Sequence, residues 1–422
     1  MLRRALAAAK RRLGPRLGLT PAAPPAPRVA DETGPPIYYF VESTVASPFN
    51  TGIQRVARQF ARALIELGHP LIPVKWGGPL QPFHPVSDAE LAHFAHWNGP
   101  AADDWQAWRP RPDPAAGGWF VMAELPVHLS PRQQAVLRDA AASAGLGTAA
   151  VFYDAIPWKM RDLYPKAVAE AHLAYMSELG LYDRVLAISE HSRRDLAGVL
   201  AAACGRDPGT LGHILACPLP AEFPNVPRSA ARTPDKAPGE PVHILCVGSV
   251  EPRKNHERLL QAFALARAEA PRPLRLTIVG GAHGLDPGLR GRVRAVVDAD
   301  PDLAWIEDAS DAQVAALYED CDFTVYPSLE EGFGMPILES LWHGKPAVCA
   351  SFGAMAEIAE GGGCLTADTR DAAALARALA ALAVDDGLRA RLAEEAARRP
   401  FRSWRDYAAE AGALLGLTPP EA

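Results

Sequence analysis

Residues 326–346 read YPSLEEGFGMPILESLWHGKP. Ahead of them DFTVYPS is an apolar strand pattern, and behind them PAVCASF is another. Between the two, Pro336 and the run Ile337, Leu338 and Leu341 mark a helix that opens after a glycine-containing loop, because proline is tolerated in a first helical turn. Strand, loop, helix and strand in succession are the repeating unit of a parallel α/β sheet.

The same rhythm extends outward in both directions. Upstream in the same half lie HILCVGS, a helix from about His256 to Ala268, LRLTIVGG, LAWIEDAS and a helix through Val314 and Leu317. The N-terminal half starts with IYYFVEST from Ile37, and Ile53, Val56, Ala57, Phe60, Ala61, Leu64 and Ile65 then follow helical spacing. PLIPVKW, GWFVMAEL, TAAVFYDAIP and RVLAIS follow as strands, with a helix from near Glu190. Strands that alternate with helices predict two doubly wound parallel sheets with helices on both faces. The predicted organisation is an arm over 1–35, a first domain over 36–225, a linker over 226–240, a second domain over 241–405, and a C-terminal helix over 406–422 that packs back on the first domain. The proline-dense run from Cys217 to Pro241 sets that boundary, and a Trp- and Pro-rich stretch over 77–117 reads as an irregular insert.

Composition is that of a globular chain, 49% hydrophobic and 22% charged over 422 residues, a length that calls for more than one core. Six cysteines without CxxC spacing, several within apolar strand patterns, read as buried free thiols in a reducing, cytoplasmic compartment. No run approaches the roughly 18 apolar residues of a membrane-spanning helix. Residues 1–30 carry a net +7, which leaves −13 on the remainder of a chain whose total is −6. Such an arm suits a solvated tail or a peripheral contact with anionic lipid at the inner face of a membrane. The acidic body argues against nucleic acid as a partner. The histidines show no HExxH pattern, so no metal is expected, and VGGAHG over 279–284 is not the GxGxxG of a nicotinamide site.

Ligands of open α/β sheets bind beyond the carboxyl ends of strands, here the loops after Val247, Val279 and Tyr326. Arg253 and Lys254 precede Asn255, a good N-cap residue for the next helix. Cations at the positive end of a helix are disfavoured unless an anion compensates, so a bound phosphate would turn a penalty into a site. On that reading Lys254→Ala would leave the stability of the free protein equal or slightly raised. Gly332 and Gly334 let backbone approach a ligand, and Glu331 and Glu339, eight positions apart, can face one crevice and accept hydroxyl hydrogen bonds. Glu331→Ala would then affect turnover more than folding. Gly280, with Gly281, gives a tight turn facing that crevice, and Asp154 after its strand is either a cleft residue or a turn former ahead of Pro157.

EPRKN after a strand, followed by LEEGFGMPILESLWHGKP, resembles the donor domain of the retaining family-4 glycosyltransferases, which have the two-domain GT-B fold. The likeness spans nearly all of 241–410. NTGIQRVARQFARALIELGH resembles that family's glycine turn and first helix, and LAISEHSRRDL the end of its first domain. The resemblance implies a transfer from a nucleotide-sugar donor to a glycan or lipid-linked acceptor with no metal or cofactor, in surface polysaccharide or lipopolysaccharide synthesis. It implies Arg253 and Lys254 on the donor diphosphate, Glu331 on sugar hydroxyls, Glu339 on the ribose, Gly52 near the reacting centre, and the loop Glu331-Gly332-Phe333-Gly334 against the donor. Many relatives have His where Tyr153 stands before Asp154, and some have Arg where Ser249 stands, which would shift phosphate binding toward Arg253. Acceptor choice would lie in the 77–117 insert. Epimerase or hydrolase chemistry, or nucleotide binding without catalysis, is open to the same architecture.

Overall fold

The computed structural model describes residues 35–48, 50–100, 117–223, 226–229, 239–282 and 286–417. The basic arm, the core of the insert (101–116) and most of the linker (230–238) lie outside the described residues.

The N-terminal sheet holds β1 (Ile37–Phe40), β2 (Leu71–Lys75), β3 (His84–Pro85), β4 (Trp119–Met122), β5 (Gly147–Phe152), β6 (Arg184–Ala187) and β7 (Ile214–Ala216), in the order β3-β2-β1-β4-β5-β6-β7. Its pairings are parallel except β3, which runs antiparallel to β2. The C-terminal sheet holds β8 (Val242–Val247), β9 (Leu274–Val279), β10 (Leu303–Ile306), β11 (Phe323–Tyr326), β12 (Ala347–Ala350) and β13 (Cys364–Ala367), in the order β10-β9-β8-β11-β12-β13, parallel throughout. Every residue of β1, β11 and β12 is buried, which is why these strands read as continuous apolar runs rather than alternating ones. In the second sheet the winding direction reverses between β8 and β11. A crevice therefore opens beyond Val247 and Tyr326, between the helices that the two strands feed.

The 326–346 stretch folds as read: β11, a glycine loop, then a helix Met335–Trp342 with Pro336 in its first turn. Its apolar face buries Ile337, Leu338 and Leu341. These side chains share one apolar cluster with Ile37, Tyr39 and Phe60 of the first domain, so the two halves are joined by core-like packing. A helix over Trp404–Leu414 crosses back onto the Gly52–Glu66 helix and sets Tyr407 edge-on to Phe60, ring centroids 5.1 Å apart. The return begins slightly before residue 406, at the Ser403 cap.

Three local readings are corrected. The IYYFVEST run is a strand only to Phe40, after which a helix occupies Glu42–Ala46. The insert is not irregular where it is described: it contains β3 and a helix Asp88–Ala95. That helix starts at a capping box, in which the Glu90 carboxylate accepts from the Ser87 backbone at 2.7 Å. The signal S-D-A-E at 87–90 was present but lay among tryptophans and prolines. Asn255, finally, does not cap its helix: its backbone is left-handed (φ 62°), and its amide donates to the carbonyls of Thr369 (2.7 Å) and Pro327 (3.2 Å).

Candidate functional site

At the carboxyl end of β8 the chain passes Gly248 and Ser249 and makes a single 3-10 turn, Pro252–Lys254, before the helix His256–Glu269. The loop after β11 lies against that turn, with the Leu329 amide donating to the Arg253 carbonyl at 2.8 Å. This pairing brings Glu331 between both cations. Its Oε1 is 2.6 Å from Lys254 Nζ and 2.7 Å from Arg253. Tyr326 Oη donates to the same oxygen at 2.8 Å and also bonds Lys254, whose ammonium sits 4.6 Å from the Tyr326 ring centroid. Arg253 reaches Glu251 as well, at 2.9 Å, and Ser249 Oγ donates to Glu251 at 3.0 Å.

The electrostatics follow from burial. Desolvation alone would raise the Glu331 carboxyl, but Lys254 and Arg253 outweigh it and hold it at about 2. Lys254 is lowered because burial outweighs the attraction of Glu331, whereas Arg253 is raised by its carboxylates. The anion expected beside these cations is thus supplied by the protein itself when no ligand is bound. A diphosphate entering here would compete with Glu331 for the same donors.

Glu339 lies in a different group. Its Oε1 is 3.0 Å from Arg55 of the Gly52–Glu66 helix, and its Oε2 accepts from Tyr318 at 3.1 Å. It borders a cavity of about 320 Å³ between the domains, walled also by Val247 and Val314 on one side and by Arg55, Gln59 and Trp97 on the other. The two glutamates therefore share a loop–helix unit but have separate partners.

The glycines have distinct reasons. A Cβ on Gly332 would stand 2.2 Å from the Tyr153 carbonyl oxygen, so this loop touches the first domain with bare backbone. Ser189 Oγ donates to the Gly332 carbonyl at 2.7 Å, and Ser192 Oγ is 2.9 Å from both that carbonyl and that of Tyr153. Gly334 has φ 125° and Gly280 φ 136°; at Gly280 a Cβ would meet the Gly248 carbonyl oxygen at 2.4 Å. Gly280 thus faces the neighbouring loop backbone rather than the crevice, because the ends of β8 and β9 are packed that closely. Gly52 differs: a Cβ there meets nothing within 4 Å, so the chain's own packing does not demand glycine. Phe333 also departs from the donor-side expectation. Its side chain is buried in the apolar cluster between the domains, on a second cavity of about 240 Å³ with Leu338 and Ile358.

Asp154 comes close to the charged group. Burial raises its carboxyl, while His172, the Ile156 amide and Arg253 lower it and Glu331 raises it. Its Oδ1 accepts from the Ile156 amide at 2.9 Å, the bond of a turn former, while its place beside Arg253 and Glu331 keeps the cleft alternative open. Tyr153 points away, its hydroxyl donating to the Ala123 carbonyl at 2.6 Å in the first domain's core. Sequence reasoning missed Tyr164, whose phenol burial pushes up to about 12 against the lowering influence of nearby Arg253. It also missed Lys159, whose Nζ lies 2.9 Å from Glu330 and 2.7 Å from Asp195, with His191 2.5 Å from Glu330. Among the described residues, His191, Asp195 and Glu330 are the one set of metal-ligand type that converges. Lys159 already supplies a cation to both of its carboxylates. No motif marks Tyr164 or Lys159, and Arg55 lies within the NTGIQRV stretch without a role that the stretch assigns it; their contacts follow from the docking of one domain on the other.

Two Rossmann-like parallel-sheet domains facing a cleft constitute the GT-B arrangement, and solved structures agree. The chain superposes on sucrose-phosphate synthase from Thermosynechococcus elongatus with a TM-score of 0.63 at 17% identity, over 90% of this chain and 98% of that one. It is similar to Anabaena HepE in complex with UDP and glucose, with a TM-score of 0.58 at 15% identity over 90% and 99% of the two chains. In sequence, residues 241–385 match the family model described as glycosyl transferases group 1. The O-antigen chain mannosyltransferase B of Escherichia coli is 31% identical over 147 residues, 35% of this chain and 38% of that protein. D-inositol 3-phosphate glycosyltransferase of Corynebacterium glutamicum (strain R) is 30% identical over 185 residues, 42% of this chain and 44% of that protein. The matched part is less than half the length of either relative. Among the described residues no helix is long and apolar enough to cross a membrane.

Proposed function

We propose that this chain is a retaining glycosyltransferase of the family-4 type, moving a hexose or deoxyhexose from a nucleotide sugar to a glycan or lipid-linked acceptor, in the making of a surface polysaccharide or lipopolysaccharide. The observation that carries the reading is the convergence of Arg253 and Lys254 on one buried carboxylate beyond β8 and β11. Two cations with a displaceable internal anion suit a diphosphate whose negative charge grows as the glycosidic bond breaks. In the bound state Arg253 and Lys254 would take the diphosphate, freeing Glu331 for sugar hydroxyls, and Glu339 would accept from the ribose. The leaving phosphate oxygen would help deprotonate the acceptor on the face it departs from. Asp154 and the Gly52 loop would face the reacting centre from the first domain.

The likeness of this chain to a mannosyltransferase and an inositol-phosphate glycosyltransferase, with the glycosyl transferases group 1 match over 241–385, supports a glycosyl donor. UDP, GDP and dTDP sugars all remain candidates, and no metal is invoked. The protein would work in the cytoplasm, with residues 1–30 free to touch anionic lipid. The test is to incubate the purified chain with a panel of UDP, GDP and dTDP sugars and candidate acceptors, following nucleotide release and the anomeric configuration of the product. Release of one nucleotide with retention supports the reading. Inversion would overturn the retaining assignment, and release of no nucleotide from any sugar would overturn the transferase.

A further inference from the structure

The cavity bordered by Glu339 has a wall that no donor-domain motif accounts for. It comes from the first domain: Arg55 and Gln59 on the helix Gly52–Glu66, and Trp97 just past the helix Asp88–Ala95. Trp97 and Asn98 are consecutive left-handed residues, φ 52° and 65°. A bulky side chain rarely takes that conformation, so the surroundings must hold it. Gln59 Nε2 donates to both of their carbonyls, at 3.4 Å and 3.0 Å. Arg58, with no exposed surface, sits 4.9 Å from the Trp97 ring centroid. It is fixed by bonds to the carbonyls of Phe94 (3.2 Å) and Thr44 (3.1 Å) and to Asn50 Oδ1 (2.9 Å). This support holds in place an indole that remains 38% exposed and lines the cavity. A rigid aromatic face opposite a carboxylate and aliphatic side chains suits a flat, partly polar ligand.

We propose that Trp97 and Arg55 form the first-domain wall of the donor's nucleoside subsite, with Trp97 packing on the nucleobase and Arg55 orienting Glu339 toward the ribose. The proposal rests on the reading of Glu339 as the ribose contact. Stacking on an aromatic tolerates any base, but the fixed Trp97–Asn98 backbone sets how deep a base can sit, so this wall discriminates by size between pyrimidine and purine. The described part of the insert then serves donor choice, not acceptor choice. Arg55 is a positioning residue, acting through the 3.0 Å contact with Glu339.

Isothermal titration of the full chain with UDP, GDP, dTDP and inorganic pyrophosphate tests this, using the wild type, Trp97→Ala and Trp97→Phe. Trp97→Ala should weaken the preferred nucleoside diphosphate about fivefold or more and narrow its margin over the others. Trp97→Phe should retain most of the affinity, and pyrophosphate, which has no base, should bind all three proteins alike. Arg55→Ala should raise the donor KM and leave the acceptor KM unchanged. Equal binding of every diphosphate by wild type and Trp97→Ala overturns the inference alone, as does an effect confined to the acceptor KM. A wild type that binds none of the diphosphates overturns the inference together with the transferase reading.

Discussion

Lys254 shows how one side chain changes meaning between sequence and structure. Read as an exposed cation at a helix start, it would be mildly unfavourable, and its removal harmless to the free protein. In the fold it is 8% exposed and bonded to Glu331 and Tyr326. Lys254→Ala should therefore destabilise the chain, by about 1–3 kcal/mol, with Arg253 still pairing Glu331. It should also lower kcat/KM for the nucleotide sugar at least about tenfold. A melting temperature at or above wild type would contradict the buried pairing. Glu331→Ala is the harsher change, since it leaves buried Lys254 without a carboxylate beside partly buried Arg253, which keeps Glu251, and about 3 kcal/mol of stability should go. A nucleoside diphosphate should stabilise that variant more than it stabilises the wild type, because it replaces the missing anion. Acid gives a second check. Glu331 is held below its unfolded value, so its contribution is complete above about 4.5 and disappears as pH falls through about 2. The stability gap between wild type and Glu331→Ala should be constant from neutral pH to about 4.5 and close below it.

At the level of elements, much was legible because strand and helix signals are local. The buried runs of β11 and β12, the strand patterns of β8 and β9, the proline-opened helix over Met335–Trp342 and the helix over His256–Glu269 all follow from periodicity and turn chemistry. What was not legible depends on contacts between residues far apart in sequence. Gly280 shows this: a turn glycine could be inferred, but not that Gly248 stands 2.4 Å from where its Cβ would be. Arg55 meeting Glu339, and Ser189 meeting Gly332, are set by how the domains dock. The capped helix Asp88–Ala95 was hidden for the opposite reason, a local signal outweighed by unusual composition. The Gly280 packing yields its own prediction. Gly280→Ala must either keep a conformation alanine rarely adopts or separate the ends of β8 and β9, and should cost about 2 kcal/mol or more in urea unfolding. Gly52→Ala, with open space at its Cβ, should leave unfolding unchanged, so any loss of turnover there would report on substrate rather than fold.

Across the whole molecule the interface between the two halves differs from one side to the other. Around the crossover it is apolar and aromatic: Phe60 against Tyr407, Trp342 against Phe401 at 5.4 Å, and Phe223 against Trp342 at 5.7 Å. Elsewhere ion pairs surround the buried Gly332 and Phe333 contacts: Lys159 with Glu330, Arg55 with Glu339, and Arg194 with Glu357 at 2.8 Å. Partly exposed pairs contribute about 0–1 kcal/mol each and weaken with salt, whereas buried aromatic contacts do not. If the ion pairs latch the domains and the aromatic crossover is the hinge, the molecule closes around a ligand as hinged two-domain proteins do, and salt should loosen the latch. Raising ionic strength from about 0.1 to about 1 M shortens the screening length from about 10 to about 3 Å and should shift the population toward an open form. Small-angle scattering should record a larger radius of gyration at high salt, and a saturating nucleoside diphosphate should reverse the change by bridging Arg253 and Lys254 to the first domain. Lys159→Ala, which removes the cation between Asp195 and Glu330, should produce part of the same opening at low salt. A radius of gyration that responds to neither salt nor Lys159→Ala would mean that the apolar crossover alone fixes the domain angle, and that ligands enter a cleft already set.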